Sequence, residues 1–292
     1  MVMSDKKRKA LVALIEDPDE RTYIVISHVL RNEGLLVIPL LEALLEQPSA
    51  TELQVFRAQE LLNTIRFDFL EVELSKWLSS PDKDLLQAII ALNKVYDPKL
   101  DESFIYQSLE KLRKDVWLEL NDQQTAFEQV KVLNHVFFNV HRFECTTSVK
   151  AELAQFDLAE VLRTNHGSPL VIGLIYSIIA NGLSLPIHGI DFPKIFILAR
   201  MDEHHSAIFA NTDSNYGVLF YINPTVNGLV FEESEIHAFL KELDLEPDRK
   251  YFEPSSNSEL IQRYLSTLMD CSKFNEDKSN QRNFERLLNL FS

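Results

Sequence analysis

The chain has little glycine and little cysteine, and each shortage argues against a kind of site. Seven glycines in 292 residues leave little material for glycine-rich phosphate loops, which disfavours a nucleotide-driven enzyme. The two cysteines, Cys145 and Cys271, form neither a disulfide framework nor a metal-binding spacing, so both are expected to be reduced. We therefore expect a protein without a cofactor or metal.

Basic side chains are also in the minority. The chain has 29 Lys and Arg against 44 Asp and Glu, a net charge of −15, which repels phosphate backbones and anionic lipids. The one dense basic run, residues 6–9, is interpreted as a solvated helix turn, and the apolar run 10–15 is too short for a signal peptide. Neither nucleic acid nor a membrane is expected as a partner, and the predicted location is cytoplasmic.

No glycine-, serine- or proline-rich linker divides the chain. Helical patterns at both ends flank a central stretch with strand patterns, which predicts a helical N-terminal region 1–125, a core 126–235 and a helical C-terminal hairpin 236–292. These three parts are expected to pack as one compact unit. The predicted fold class is α+β, mostly helical, with a small antiparallel sheet.

The N-terminal region contains the signals of a helix pair. Asp17 is the expected N-cap before a proline, Ile24 is expected in the buried face, and Gly34 is expected to end the helix. Pro39 then lies near the start of a second apolar helix. The pair resembles one HEAT-type repeat, although the sequence contains no clear second copy.

Further helices are predicted from apolar residues three and four positions apart. The stripes are Ile105, Leu109, Leu112 and Val116; Phe127, Val130, Leu133 and Phe137; and Leu260, Ile261, Tyr264, Leu265 and Leu268. A last stripe over 284–291 completes a C-terminal pair that resembles a TPR-like hairpin. These side chains are interpreted as core.

The pattern changes after Gly167. Residues 170–179 are apolar on nearly every face, which predicts a helix buried all round. Short β-rich runs follow at 187–190, 195–199, 206–210 and 218–222, and the last alternates with apolar residues on both faces, as in a central strand. The sequence thus predicts a buried helix followed by an antiparallel meander.

Four short motifs in this part occur in a fixed order. They are Leu133 to Phe138, His166-Gly167-Ser168-Pro169-Leu170, Ile190 to Phe196, and Phe220 to Thr225. In series they resemble the transglutaminase-like core of SirB-type bacterial proteins. The resemblance implies a papain- or transglutaminase-like fold for the core, in which the buried helix precedes the strands.

Active enzymes of this fold use a Cys thiolate at a helix N-terminus, a His and an Asp. The resemblance places the Cys position at Pro169 of Gly167-Ser168-Pro169. It places the His of a Leu-Pro-Gly-His-Phe pattern at Ile195, and the Asp of Tyr-Ile-Asp-Pro-Phe at Asn223. These replacements predict a pseudoenzyme that binds a protein or peptide partner as a scaffolding or regulatory module.

An enzyme with a relocated nucleophile is the alternative, of the acyl-transfer or peptide-hydrolase class. Ser168 beside His166 is one candidate, although an N-cap role for Ser168 is favoured. Cys145 with His141 or His135 is the other, although Cys145 precedes the predicted helix instead of starting it.

Two further groups of residues have the chemistry of binding sites. A helix start offers free N–H groups to an anion or carboxylate, so His166, Gly167 and Ser168 are candidate binding residues, together with Asp191 and Lys194. The run 202–205, Asp-Glu-His-His, has metal-ligand residue types, but neighbouring side chains on a strand face opposite sides. It is interpreted as a solvated hairpin tip.

Overall fold

The structure is a computed structural model that describes residues 3–146, 153–202 and 216–291. It divides into two compact units. The first unit comprises Met1–Pro81 and Lys94–Pro98, and the second comprises Asp82–Asn93 and Lys99–Ser292. The division at 125 and 235 and the packing of three parts as one unit stay predictions.

The first unit is helical. Its helices are α1 (Asp5–Ala13), α2 (Glu20–Glu33), α3 (Ile38–Leu45) and α4 (Glu52–Ser79). The predicted N-cap was wrong by two residues: Asp19, not Asp17, accepts hydrogen bonds from the first-turn amides of α2. Asp17 instead accepts the N–H of Asp19, which leaves Pro18 before the helix. Gly34 ends α2 with φ of 58°, as predicted, because glycine adopts this conformation without strain.

The core of the first unit lies between α2, α3 and α4. Leu30, Val37 and Leu41 are fully buried there. Ile24 was expected in this face but is 58% exposed, because it lies two residues, more than half a helical turn, from the buried Ile26. The HEAT-type resemblance of these helices stays a prediction.

One apolar stretch of the first unit is long enough to cross a bilayer. In the described part of the chain, Glu20–Leu45 is the single segment that meets this condition by length and composition. A 3-10 turn at Gly34–Val37 interrupts it, and Leu30, Val37 and Leu41 are buried in the unit's own core. The prediction that no membrane is involved stays a prediction.

The second unit contains the helices that follow α4 and both sheets. Its helices are α5 (Leu85–Tyr96, whose last three residues belong to the first unit), α6 (Glu102–Trp117), α7 (Ala126–Asn134), α8 (Leu158–Thr164), α9 (Pro169–Gly182), α10 (Glu233–Glu242), α11 (Asn257–Phe274) and α12 (Lys278–Leu288). A π-helical turn, His135–Val140, continues α7. The stripe from Ile105 to Val116 is buried as predicted. Phe127 is 43% exposed, contrary to expectation, because it lies in the first turn of α7 and packs only edge-on against Phe220.

The strands of the second unit form two sheets in the described residues. A short parallel pair joins β1 (Glu144–Cys145) to β2 (His166–Gly167). The larger sheet is antiparallel, in the order β3 (Ile187–Ile190), β4 (Ile197–Met201), β5 (Val218–Asn223) and β6 (Leu229–Phe231). β4 begins two residues later than predicted because Lys194 takes a left-handed turn, φ 64°. The predicted strand 206–210 lies outside the described residues.

The two faces of the larger sheet are covered by different helices. α9 contacts β3 and β4 on one face and is buried on nearly all sides, as its sequence predicts. The other face, with Ile197, Ala199 and Tyr221, packs against Ile236 and Leu240 of α10. The architecture is therefore the mostly helical α+β fold expected from the sequence.

A buried polar link ties the C-terminal helices to this core. The side chain of Asn93 on α5 donates to the Tyr264 hydroxyl on α11 (3.1 Å) and accepts the N–H of Leu158 on α8 (2.6 Å). The Tyr264 hydroxyl in turn donates to the carbonyl of Phe156. α12 packs back on α11 as a hairpin, and its TPR-like character stays a prediction.

Candidate functional site

The start of α9 is the position where the family pattern places a nucleophile. Pro169 occupies the first helical position, and the Ser168 hydroxyl caps the helix by accepting the Val171 N–H at 3.3 Å. The N–H of Ser168 donates to the Gln155 carbonyl at 2.9 Å. Proline has no N–H, so in the described residues the amide of Leu170 is the only one in this first turn without a protein acceptor. The anion-binding capacity of this helix start is therefore small.

Ser168 and His166 do not form a nucleophile–base pair. The Nδ1 of His166 lies 2.6 Å from the Thr164 carbonyl, and its Nε2 lies 3.4 Å from a carboxylate oxygen of Glu144. Both ring nitrogens thus have partners other than Ser168. Ser168 itself is buried, which fits its capping role.

Ile195, at the position of the family's histidine, lies in an apolar environment. It packs against the cluster on the α10 face of the sheet, which includes Phe192 and Ile197. The neighbouring Phe196 packs on the opposite face, against α9. Lys194, where the family pattern has glycine, adopts φ of 64°, so the backbone keeps a turn that usually requires glycine.

The Phe196 ring fills the space next to α9. A Cβ atom on Gly173 would lie 2.5 Å from Cδ1 of this ring and 3.3 Å from Cγ of Pro224. A Cβ on Gly189 of β3 would lie 2.6 Å from the same ring. Both glycines are therefore needed for the close approach of helix, sheet and ring.

These contacts bring the segments that carry the three family positions together. Pro169 lies four residues, about 6 Å of helix rise, before Gly173. Ile195 and Asn223 directly precede Phe196 and Pro224, which both contact Gly173. Next to Gly173, the space between these segments is taken by the Phe196 ring and by Pro224.

Asn223 has a local structural role. Its side-chain oxygen accepts the Thr225 N–H at 2.9 Å and so caps the 3-10 turn Pro224–Val226. An Asp at this position of an enzyme would orient a histidine. Here the same atom satisfies the backbone of the loop after β5.

Cys145 lies closer to this region than the sequence indicated. In the β1–β2 pair it is opposite Gly167, and its thiol donates to the Pro224 carbonyl at 3.5 Å. Burial, and secondarily the Glu144 charge, raise the pKa of the Cys145 thiol to about 12. A catalytic cysteine needs the opposite shift, because the thiolate is the nucleophile.

The two histidines proposed as partners of Cys145 have other contacts. His141 binds Asp115 through Nε2 at 2.9 Å, and the Nδ1 of His135 lies 3.4 Å from the Asn139 amide. The other thiol, Cys271, is free and buried on α11. The β1–β2 strand pairing, which has no signal in the sequence, places Cys145 beside the start of α9.

The remaining candidate binding residues lie on the β3–β4 loop. Asp191 forms an ion pair with Arg263 of α11, and its N–H donates to the Ser255 hydroxyl at 2.9 Å. It lines an open groove of about 690 Å³ along α11. The groove residues are Asp191, Lys250, Ser255, Glu259, Gln262, Arg263, Ser266, Thr267 and Asp270. Lys194 is exposed on the same loop.

The described residues contain no group of three or more His, Cys, Asp or Glu side chains arranged to hold a metal ion. Asp202 ends the described segment, and residues 203–205 of the Asp-Glu-His-His run lie outside it. The interpretation of this run as a solvated hairpin tip stays a prediction.

Comparisons with known proteins agree with the fold and the motif order. The model of the transglutaminase-like superfamily matches residues 104–266. The SirB1 protein of Salmonella typhimurium is 28% identical over 169 residues, which cover 56% of this chain and 58% of that protein, and the SirB1 protein of Salmonella typhi matches equally. A UPF0162 protein of Vibrio cholerae is 22% identical over 128 residues, 44% of this chain and 47% of that protein.

The chain thus spans about half the length of the curated relatives it matches. No solved structure matches it significantly. The match of the superfamily model over more than half of the sequence, together with the SirB1 similarity, shows that the chain is a SirB-type member of the transglutaminase-like superfamily.

Proposed function

We propose that this chain is a non-catalytic member of its family that binds a protein or peptide and acts as a scaffolding or regulatory module. The observation that carries the proposal is that the residues at the three triad positions all have structural roles. Pro169 starts a capped helix, Ile195 packs in an apolar cluster and Asn223 caps a turn. Each residue contributes to the fold, and none is a nucleophile or a base.

An acyl-transfer enzyme or peptide hydrolase with a relocated nucleophile is the second candidate. Its support is the position of Cys145, opposite Gly167 and within hydrogen-bond reach of Pro224. The raised pKa of this thiol argues against it, because almost no thiolate exists at neutral pH. Ser168 is a weaker candidate because its hydroxyl caps α9 and both nitrogens of His166 are engaged elsewhere.

Turnover assays separate the two candidates. Wild-type protein, Cys145→Ala and Ser168→Ala are incubated with glutamine-donor and peptide substrates, with and without a thiol-alkylating reagent. The proposal expects no turnover from any of them. Turnover that Cys145→Ala or Ser168→Ala abolishes would establish the relocated nucleophile and refute the non-catalytic function.

For the partner, we favour the groove along α11 over the start of α9. The groove is polar and carries both charge signs, with Asp191, Glu259 and Asp270 near Lys250 and Arg263. Such a lining suits a polar peptide segment with charges of both signs. Of the candidate binding residues, Asp191 lines it, whereas His166, Gly167 and Ser168 offer few free donors. Lys194 lies on the same β3–β4 loop as Asp191.

A peptide-display selection tests this surface. Peptides enriched on the wild-type chain should lose binding to Arg263→Ala, which removes the groove cation that pairs with Asp191. The control Arg282→Ala removes an exposed arginine of α12 outside the groove and should retain them. Failure of the library to enrich any peptide, or equal loss in both variants, would contradict a peptide-binding function of this groove.

We also propose that the protein is cytoplasmic and that it works without a cofactor and without binding nucleic acid or a membrane. Its support is the net charge of −15, which disfavours polyanionic partners. The two cysteines, both free, suit a reducing compartment. Fractionation of cells that express the chain would test the location.

A further inference from the structure

A second pocket in the same unit shares no residue with the triad positions or the α11 groove. It has a volume of about 440 Å³ and lies between α6, the end of the π-helical turn and the end of α8. Its lining residues are Phe104, Gln107, Ser108, Lys111, Leu112, His141, Phe143, Leu162, Arg163 and Asn165. No function proposed above uses it.

The charge of this lining is opposite to that of the protein. It contains Lys111, Arg163 and His141 but no carboxylate, in a chain whose net charge is −15. Arg163 pairs with Glu160 at 2.5 Å and His141 pairs with Asp115 at 2.9 Å, and neither acid lines the pocket. Within the described residues Lys111 has no ion pair or side-chain hydrogen bond, so its ammonium group is available to a ligand.

The pocket has a polar lining with an apolar part that is held in place. Leu112, Phe143 and Leu162 are buried, and Phe143 stacks on Phe137 with ring centroids 4.2 Å apart. On the other side the Arg163 guanidinium lies over the Phe104 ring, 5.5 Å from its centroid. The pocket therefore combines polar and cationic groups with a smaller preformed patch of aromatic and aliphatic side chains, a combination that suits amphipathic small molecules.

The backbone around the pocket is unusual at three places. The π-helical turn His135–Val140 ends at His141, whose N–H bonds the carbonyl of Val136 five residues earlier. The next residue, Arg142, and the lining residue Asn165 both adopt left-handed conformations, with φ of 58° and 60°. π-Turns are frequent at functional sites, whereas Asn165 takes its left-handed conformation as the C-cap that ends α8.

We infer that this pocket binds a small organic anion, a carboxylate or a phosphate monoester on an aromatic or other apolar body. Lys111 and Arg163 contact the anionic group, and the apolar part lies against Phe104, Phe143 and Leu162. Asp115 fixes the His141 ring through Nε2, which leaves Nδ1 as its nitrogen without a protein partner in the described residues. The assignment is independent of whether the chain is catalytic.

Calorimetric titration of the full chain with four probes of the same size tests the charge requirement. Benzoate and phenyl phosphate should bind, whereas benzyl alcohol and benzylamine should bind at least about tenfold more weakly, since they lack the anion that pairs with two cations. A stronger response to phenyl phosphate assigns the ligand to phosphate esters, a stronger response to benzoate assigns it to carboxylates, and equal responses support a site that accepts both anions. Equal binding of benzyl alcohol, or no binding of either anion at millimolar concentration, would overturn the inference.

Variants locate the binding. Lys111→Ala and Arg163→Ala should each weaken anion binding by about tenfold, the equivalent of one lost charge-assisted contact. Lys114→Ala is the matched control, because it removes an exposed lysine of α6 three residues away and outside the lining. Both lysine variants alter exposed side chains, so their folding should not change, as a thermal melt can verify. An equal effect of Lys111→Ala and Lys114→Ala would show nonspecific electrostatic binding and refute the site.

Discussion

The start of α9 and the pocket between α6 and α8 lie in the same unit but use their polar groups differently. At the start of α9 the Ser168 hydroxyl and the Asn223 side chain are engaged by the protein's own backbone, and the Phe196 ring fills the adjacent space. In the pocket, the Lys111 ammonium group has no partner among the residues that the structure describes, and the Phe143 wall beside it is fixed by stacking on Phe137. At the start of α9, where active members of the family carry their nucleophile, the polar side chains are bonded within the protein. The pocket between α6 and α8, which no family motif marks, is accessible to a ligand.

This difference indicates where function should be sought in a degenerate enzyme. A polar group that already bonds the backbone of its own chain is less available to a ligand than a group without such a partner.

Phe196→Ala should have the largest effect on stability. The ring lies against the backbone at Gly173 and Gly189, so its removal leaves a cavity that the backbone cannot fill. We expect a loss of about 3–5 kcal/mol in the free energy of unfolding, measured by denaturant titration. Phe104→Ala, in the wall of the open pocket, should cost much less because one side of that ring is not packed. Equal costs for the two variants would remove the distinction between the start of α9 and the pocket.

Asn223→Ala should have an intermediate effect. It deletes the cap of the turn Pro224–Val226, which typically costs about 1 kcal/mol. Asn223→Asp should be nearly neutral, because a carboxylate can accept the same Thr225 N–H. Chemical denaturation of both variants checks this, and a neutral Asn223→Ala would show that the side chain has no structural role.

A pH effect from His188 should be the smallest. Burial, and secondarily the charge of Arg200, hold the pKa of His188 below its usual 6.5. The unfolded chain therefore binds a proton first as the pH falls, and stability decreases between pH 6.5 and the lower folded-state pKa. His188→Gln should remove this component, whereas the exposed control His166→Asn should retain it. Identical pH profiles for wild type and His188→Gln would contradict the assignment.

The helices α6, α7, α11 and α12 of the second unit followed from the sequence because their apolar residues recur with helical spacing. α9 was predicted from an unbroken apolar run, and β5 from alternation on two apolar faces. Errors occurred at element ends, where local signals compete, and at Ile24 within α2, which is exposed. Asp19 capped α2 in place of Asp17, and Phe127 was exposed in a first turn.

The features of the site that depend on tertiary contacts could not be predicted in this way. The β1–β2 pair joins Cys145 to Gly167 across 22 residues, and the pocket assembles residues from Phe104 to Asn165. Neither pairing has a periodic signal in the sequence. The glycines are the one available clue, because Gly173 and Gly189 interrupt apolar segments at the points where Phe196 approaches the backbone.

The most direct test of the account is the reactivity of Cys145 as a function of pH. A Cys271→Ala background leaves Cys145 as the single thiol, and its alkylation by iodoacetamide is followed from pH 6 to pH 10. With a pKa of about 12, the thiolate fraction is only about one in ten thousand at pH 8. The account predicts slow alkylation whose rate rises about tenfold per pH unit across the whole range. A rate that levels off below pH 8 would reveal an activated thiolate beside α9 and contradict the claim that this region has no catalytic nucleophile.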